Sequence, residues 1–347
     1  MSNKRIDWID IAKFISIFFV MLSHFELCPG YLRAFFAPFY LSVFFFCSGY
    51  CYKGGQDFKT FLSKKIRTLV WPWFLYSNLN IFLSHLKSFK HHENGFLIEV
   101  FHNLLQIRFF DERLWFIPAL FTAFIPFYFL IRYYAKSGNK KVVLMICAFL
   151  CLVRKVYKAY MDPNLFPWKL TSLPWHIDYI PTALLFLVLG YLFKEDWESK
   201  FDAFFDLKNT VILVMVYLLF VYYDHFNGYT LPLYIDYFYD HIRHILSILM
   251  IVRIAKWISP NCFLLYIGRN TLIYFCIHNK AVTLSESLWK MFLPEIYAQF
   301  GGPVRSTIYC FVMTLFICVV LLVPAWIINK YFPWTLGKTR AKQAEFK

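Results

Sequence analysis

The sequence predicts an all-α, polytopic membrane protein of about ten transmembrane helices, and three observations carry that prediction. Hydrophobic residues make up 59% of the 347 and charged residues only 16%, against about a quarter charged in soluble domains. The 42 Phe, 24 Tyr and 11 Trp are spread from end to end rather than gathered in one segment. Apolar runs of about 20 residues, enough to cross a hydrocarbon core of about 30 Å, recur along the whole chain. Such a composition excludes a disordered chain and an ordinary water-soluble globule.

Taken in order, the candidate spans are 8–28, 34–52, 69–86, 114–132, 142–160, 175–193, 209–224, 234–252, 262–280 and 306–329. The first is flanked by Lys4 and Arg5, carries charge itself and has no small-residue cleavage pattern after it, so it reads as a retained span rather than a removable leader. The fifth holds Arg154, Lys155 and Lys158, and the seventh is short. Two further stretches are too polar to span. Of these, 96–110 sets Leu97, Phe101, Leu104, Leu105 and Arg108 against Glu99, His102 and Gln106, the pattern of an interfacial helix. The other is 283–300.

With ten spans both termini share a side. With the other cations inside span ranges assigned to a side, that side receives 21 of the 36 Lys and Arg and the opposite side 13, which leaves Lys13 and Arg269 within spans. The excess places both termini in the cytoplasm and accounts for much of the +15 net charge without nucleic acid as a partner. No internal repeat or soluble appendage interrupts the pattern, so residues 1–347 read as a single membrane domain with its chemistry inside the bundle or at its faces. The nine cysteines lack the spacing of a disulfide framework or zinc site; Cys47/Cys51 and Cys147/Cys151 read as small apolar fillers on helix faces. Asp240, His241 and His244 lie on one helix face but lack accompanying ligands, so no metal site is expected.

Ionisable groups inside spans are the best functional pointers, because each costs about 2.5–3.5 kcal/mol on insertion scales unless paired or hydrated. The first span holds Asp10, Lys13 and His24. On a continuous helix Lys13 and His24 differ by about 20° and Asp10 and His24 by about 40° the other way, so all three share a face. Asp10 can pair with Lys13 at i, i+3, and about 16 Å of axis separates Lys13 from His24. A hydrogen-bonded interfacial histidine and a snorkelling lysine are the plain alternatives, but three ionisable groups on one face argue for more. Imidazole is also suited to take a proton from a hydroxyl near neutral pH. In the ninth span lie Gly268, Arg269, Asn270 and Thr271, with His278 at its end. Arg269 and His278, nine apart, are expected to point oppositely on one helix. After Cys47-Ser48-Gly49-Tyr50 comes a basic loop with Lys64, Lys65 and Arg67, then Trp71-Pro72-Trp73. Membrane anchoring explains it; equally, Lys64 and Arg67 are spaced to present two cations to phosphates.

These residues resemble the acyltransferase-three family of integral membrane O-acyltransferases, and within it the fucose 4-O-acetylase-like branch. The first-helix motif is similar in Lys13, ten intervening residues and His24, with Lys where much of the family has Arg. Phe44-Phe45-Phe46-Cys47-Ser48-Gly49-Tyr50 resembles the Phe-rich end of the second helix, and Lys64-Lys65-Ile66-Arg67 before Trp71-Pro72 the paired-basic motif. Leu114-Trp115-Phe116-Ile117-Pro118, Asp178-Tyr179-Ile180-Pro181 with Leu189-Gly190-Tyr191, and Ile267-Gly268-Arg269-Asn270-Thr271 to His278 are similar to later blocks in the same order.

The resemblance implies transfer of an acyl group, usually acetyl, from acyl-CoA to a hydroxyl of a sugar in a cell-surface polysaccharide or its precursor. His24 would be the general base, with Lys13 and Asp10 beside it. Lys64, Arg67 and Arg269 would hold acyl-CoA, and Trp115, Asn270 and His278 would serve the acceptor or support the base. Acetyl-CoA is then a co-substrate rather than a bound cofactor, and the location is a plasma or inner membrane. A transporter or flippase of glycan precursors is the competing class, but the two repeated halves such proteins often show are missing. A scaffold would leave Asp10, Lys13 and His24 unexplained.

Overall fold

The computed structural model describes residues 5–87, 95–109, 113–226 and 231–338. Lys4, Arg340, Lys342 and Lys347 from the cation count, and Phe110 at the end of the amphipathic stretch, lie outside them. Among the described residues the protein is all helical with no strand. In chain order the α-helices are α1 (Asp7–Ser23), α2 (Gly30–Phe36), α3 (Ser42–Tyr50), α4 (Phe58–Lys65), α5 (Trp71–Lys87), α6 (Phe96–Leu105), α7 (Phe116–Ser137), α8 (Lys140–Tyr160) and α9 (Ile180–Leu192). They continue as α10 (Glu198–Phe204), α11 (Leu207–Phe226), α12 (Leu233–Trp257), α13 (Cys262–Arg269), α14 (Thr271–Phe292), α15 (Pro294–Ala298), α16 (Pro303–Val320) and α17 (Leu322–Tyr331). Among the described residues four helical stretches are long and apolar enough to cross a bilayer: Phe116–Ser137, Pro174–Phe204, Leu207–Phe226 and Pro303–Tyr331. The chain falls into two compact units, Met1–Cys47 with Phe193–Ile327, and Ser48–Leu192 with Ile328–Lys347.

In the first unit α1 is the central helix and packs on α12, α13, α14 and α16. Its buried face is Ile11, Ala12, Ile17, Val20, Met21 and Leu22. The closest approach is to α13, where Gly268 meets the Asp10 backbone: a Cβ at 268 would stand 1.9 Å from the Asp10 carbonyl oxygen. Only glycine permits that contact, and close contact matters where lipid supplies no hydrophobic drive between helices. The predicted 8–28 helix stops at Ser23, with His24 as its C-cap. Proline at 29 cannot continue a helix, and the Arg33 guanidinium donates to the Cys28 and Phe25 carbonyls at 3.2 and 3.1 Å, giving the turn the partners that helix would have supplied. The predicted 34–52 helix is likewise divided, by a turn at residues 37–41 that contains Pro38. The ninth predicted span breaks at Asn270 (φ −110°, ψ 18°), between α13 and α14.

In the second unit α4 and α5 form one helical stretch from Phe58 to Lys87, joined by a π-turn over Ile66–Val70. Asp57 starts it by accepting from the Thr60 N–H at 3.0 Å. Pro72 has no N–H to give the Thr68 carbonyl, and the Trp71 N–H instead reaches back five residues to Ile66. The expected basic loop is therefore helical through Lys64, Lys65 and Arg67. Gly49 lies against α9, where a Cβ would come within 1.9 Å of the Leu187 carbonyl oxygen. Helix α7 packs on α9 and on the segment before it, and α8 packs on α9. Helix α6 has the expected two faces, turned so that Leu97, Phe101 and Leu104 are exposed while Glu99, Asn103 and Gln106 are buried. That is the orientation a helix takes when its surroundings are apolar and its polar groups must find partners within the protein.

Candidate active site

Two polar clusters flank α1 in the first unit. Near its N-terminus the buried Asp10 carboxylate accepts from Arg269 Nε at 3.1 Å, with Lys13 Nζ farther at 4.0 Å. Arg269 also reaches Asp7 at 3.7 Å. The i, i+3 partner expected from sequence is thus the more distant one, and a residue 259 positions away is nearer. At the other end of α1, the His24 ring lies edge-on to the His278 ring, with centroids 4.8 Å apart and planes at 61°. His24 is exposed at the end of its helix, whereas His278 is buried, 3% exposed. His278 Nδ1 is 2.8 Å from the Phe275 carbonyl. A carbonyl only accepts, so in the neutral ring Nδ1 carries the hydrogen and Nε2 the lone pair.

Arg269 and His278 do not point oppositely: both face α1, one toward Asp10 and the other toward His24. The helical wheel misled because it assumed one continuous helix, and the break at Asn270 resets the phase. Asn270 itself donates Nδ2 to the Tyr266 carbonyl at 2.8 Å, closing the end of α13.

Sequence reading passed over the groups that shape the His24 turn. The buried carboxylate of Glu286 accepts from the Glu26 N–H at 3.0 Å, and the Glu26 carboxylate pairs with Lys290 at 2.7 Å. Burial pushes the Glu286 carboxyl up from its ordinary value. With the Arg33 contacts, these hold residues 25–28 from two sides. The only signal of Glu286 and Lys290 in sequence was the polarity of 283–300, which argued against a span and carried no further information.

The second unit holds the remaining predicted residues. Lys64 and Arg67 are exposed on the α4 end and the π-turn. Lys65 between them is turned away, its ammonium 3.2 Å from the centroid of the Phe124 ring. The segment after α17 lies along the same helix: Trp71 Nε1 donates to the Trp334 carbonyl at 3.2 Å, and the Tyr76 and Thr335 hydroxyls are 3.0 Å apart. Trp115 precedes α7 and is enclosed by the Arg108 guanidinium at 4.6 Å and the rings of His176 and Tyr179, each at 5.5 Å. His176 is buried and lies 3.4 Å from the Gln106 carboxamide oxygen through Nε2.

The profile of the acyltransferase-three family, described as an acyltransferase domain, matches residues 6–323. The chain belongs to that family. The match takes in both α1 clusters, the basic π-turn, Trp115 and His278. The protein is therefore a membrane acyltransferase: family and apolar helices agree on the setting, and the family on the type of reaction. No curated protein and no solved structure matches this acyltransferase significantly.

Proposed function

We propose that this acyltransferase moves an acetyl or other short acyl group from acyl-CoA to a hydroxyl of a sugar in a cell-surface polysaccharide or its lipid-linked precursor, as in the fucose 4-O-acetylase-like branch of its family. The observation that carries the reading is the exposed His24 imidazole set against a buried second imidazole at the end of the central helix. A sugar hydroxyl is a weak nucleophile, and a positioned imidazole removes its proton as the oxygen attacks the thioester carbon. The proton ends on the departing CoA sulfur, giving the O-acyl sugar and free CoA thiol.

Lys64 and Arg67, both exposed and one helical turn apart, supply cations for the donor's phosphates. Lys13, about 16 Å along α1 from His24, lies on the route by which a pantetheine arm threads toward the base. Direct threading needs only one role from His24 and no thiol nucleophile. Trp115 offers an aromatic surface for the acceptor sugar. The enzyme would sit in the plasma or inner membrane with ten spans and both termini cytoplasmic, as the cation bias supports.

The test compares cell-surface glycans from cells with the intact gene, without it, and with His24→Ala. The intact protein adds the mass of one acyl group to a defined sugar. His24→Ala removes that mass while the protein still inserts, a fall of about a hundredfold or more. Full acylation by His24→Ala would remove the base assignment; glycans of equal mass with and without the gene would remove the acceptor class.

A further inference from the structure

Nε2 of His278 is the one nitrogen of the imidazole pair with a fixed state and no work assigned to it. Its ring is anchored by Nδ1–H to the Phe275 carbonyl, so Nε2 is a bare acceptor. The ring is buried, and among the described residues Nε2 has no hydrogen-bond partner. Leaving an acceptor buried and unpaired costs about 1–3 kcal/mol, so its persistence asks for a donor. The centroid of the His24 ring is 4.8 Å from that of the His278 ring. Two imidazoles joined by an N–H···N bond of about 3 Å have their centroids about 5 Å apart. His24 is also exposed at a helix end, where its ring can turn without disturbing the core.

We propose that His278 is the positioning residue for His24: the exposed His24 ring turns so that one of its nitrogens donates its N–H to His278 Nε2, in the resting enzyme and through the reaction. This rests on the reading of His24 as the base. The bond fixes the His24 tautomer, leaving the nitrogen on the far side of the ring as the lone pair that meets the acceptor hydroxyl. As that nitrogen takes the hydroxyl proton, the positive charge on His24 is stabilised by a neutral acceptor locked to the backbone. A carboxylate does this for the histidine of a Ser-His-Asp triad; here a second imidazole does it, and the resting pair carries no net charge. His278 itself gains and loses no proton.

The experiment uses the purified full chain in lipid nanodiscs, labelled with 15N-histidine. In the wild type the His278 Nε2 resonance lies at the position of a hydrogen-bonded acceptor, and in His24→Ala it moves to that of a free lone pair. Kinetics use radiolabelled acetyl-CoA and membranes from cells lacking the gene. His278→Leu lowers kcat roughly ten- to hundredfold with KM for acetyl-CoA unchanged. His278→Gln, whose amide oxygen can accept from His24, restores most of it. A His278 resonance indifferent to His24→Ala overturns the proposal, as does a His278→Leu enzyme with wild-type kcat. Because the spectra read the pair without turnover, a failed pairing is distinct from a failed base, which shows as activity kept in His24→Ala.

Discussion

Lys65 shows how a side chain inside a run of cations can serve the fold. Three cations stand at 64, 65 and 67, and their spacing made Lys64 and Arg67 the expected phosphate ligands. The structure separates them, because Lys65 turns under the helix onto Phe124 while Lys64 and Arg67 stay in the open. Burial, and then the charge of Lys64, pull the Lys65 ammonium down from 10.5 to about 7, and the Phe124 ring offsets part of that penalty through cation–π attraction. The folded protein then holds fewer protons than the unfolded chain between pH 7 and 10.5. Stability from this site rises with pH across that window, and below it the full cost of the buried charge remains. Lys65→Met should therefore have a higher thermal midpoint than wild type at pH 7, with the gap narrowing toward pH 10. A gap that does not change with pH would remove the effect assigned to Lys65. His24, Asp10 and Arg269 were all legible as single residues, since an ionisable group in so apolar a chain stands out. Their partners were not, because a contact such as Asp10 to Arg269 spans 259 positions and leaves no local trace.

Helices show the same division at the next scale. Each predicted apolar segment is helical over most of its length, because about 20 consecutive apolar residues have few alternatives to internal backbone pairing in lipid. What periodicity did not show is where a helix stops. The breaks after Ser23, at residues 37–41 and at Asn270, and the π-turn before Pro72, each change which way later side chains face, and only Pro29, Pro38 and Pro72 hint at them. The break at Asn270 matters most, since it turns both Arg269 and His278 toward α1. It works together with Gly268, which lets α13 lie directly on the α1 backbone. Gly268→Ala should lower stability by about 1–3 kcal/mol or more, because the atom it strikes is a backbone carbonyl that cannot rotate away. Gly54→Ala, where a Cβ meets nothing within 4 Å, serves as the control. Thermal midpoints in detergent decide it, and equal midpoints for the two variants would contradict the packing described for α13.

For the whole molecule the open quantity is sidedness. Among the described residues four stretches are long and apolar enough to span, while the proposed ten-span topology also requires more polar or shorter helices such as α8 and α1 to cross. That topology puts the exposed Asn164 outside the cell and the exposed Lys200 inside. With the exposed Cys51 and Cys262 replaced by serine, Asn164→Cys should react with a membrane-impermeant maleimide in intact cells, and Lys200→Cys only after permeabilisation. The reverse result, or labelling of both in intact cells, would overturn the ten-span arrangement. Composition and span length determined by themselves that this chain is a helical membrane protein, because the bilayer constrains every backbone group in the same way wherever it lies in the sequence. The order of its motifs determined the family. Only the tertiary structure decided that Arg269 belongs with Asp10, that Lys65 is withdrawn from its motif and that His278 faces His24. Those outcomes depend on helix ends and close approaches, where a single glycine, proline or asparagine sets the direction of everything that follows it.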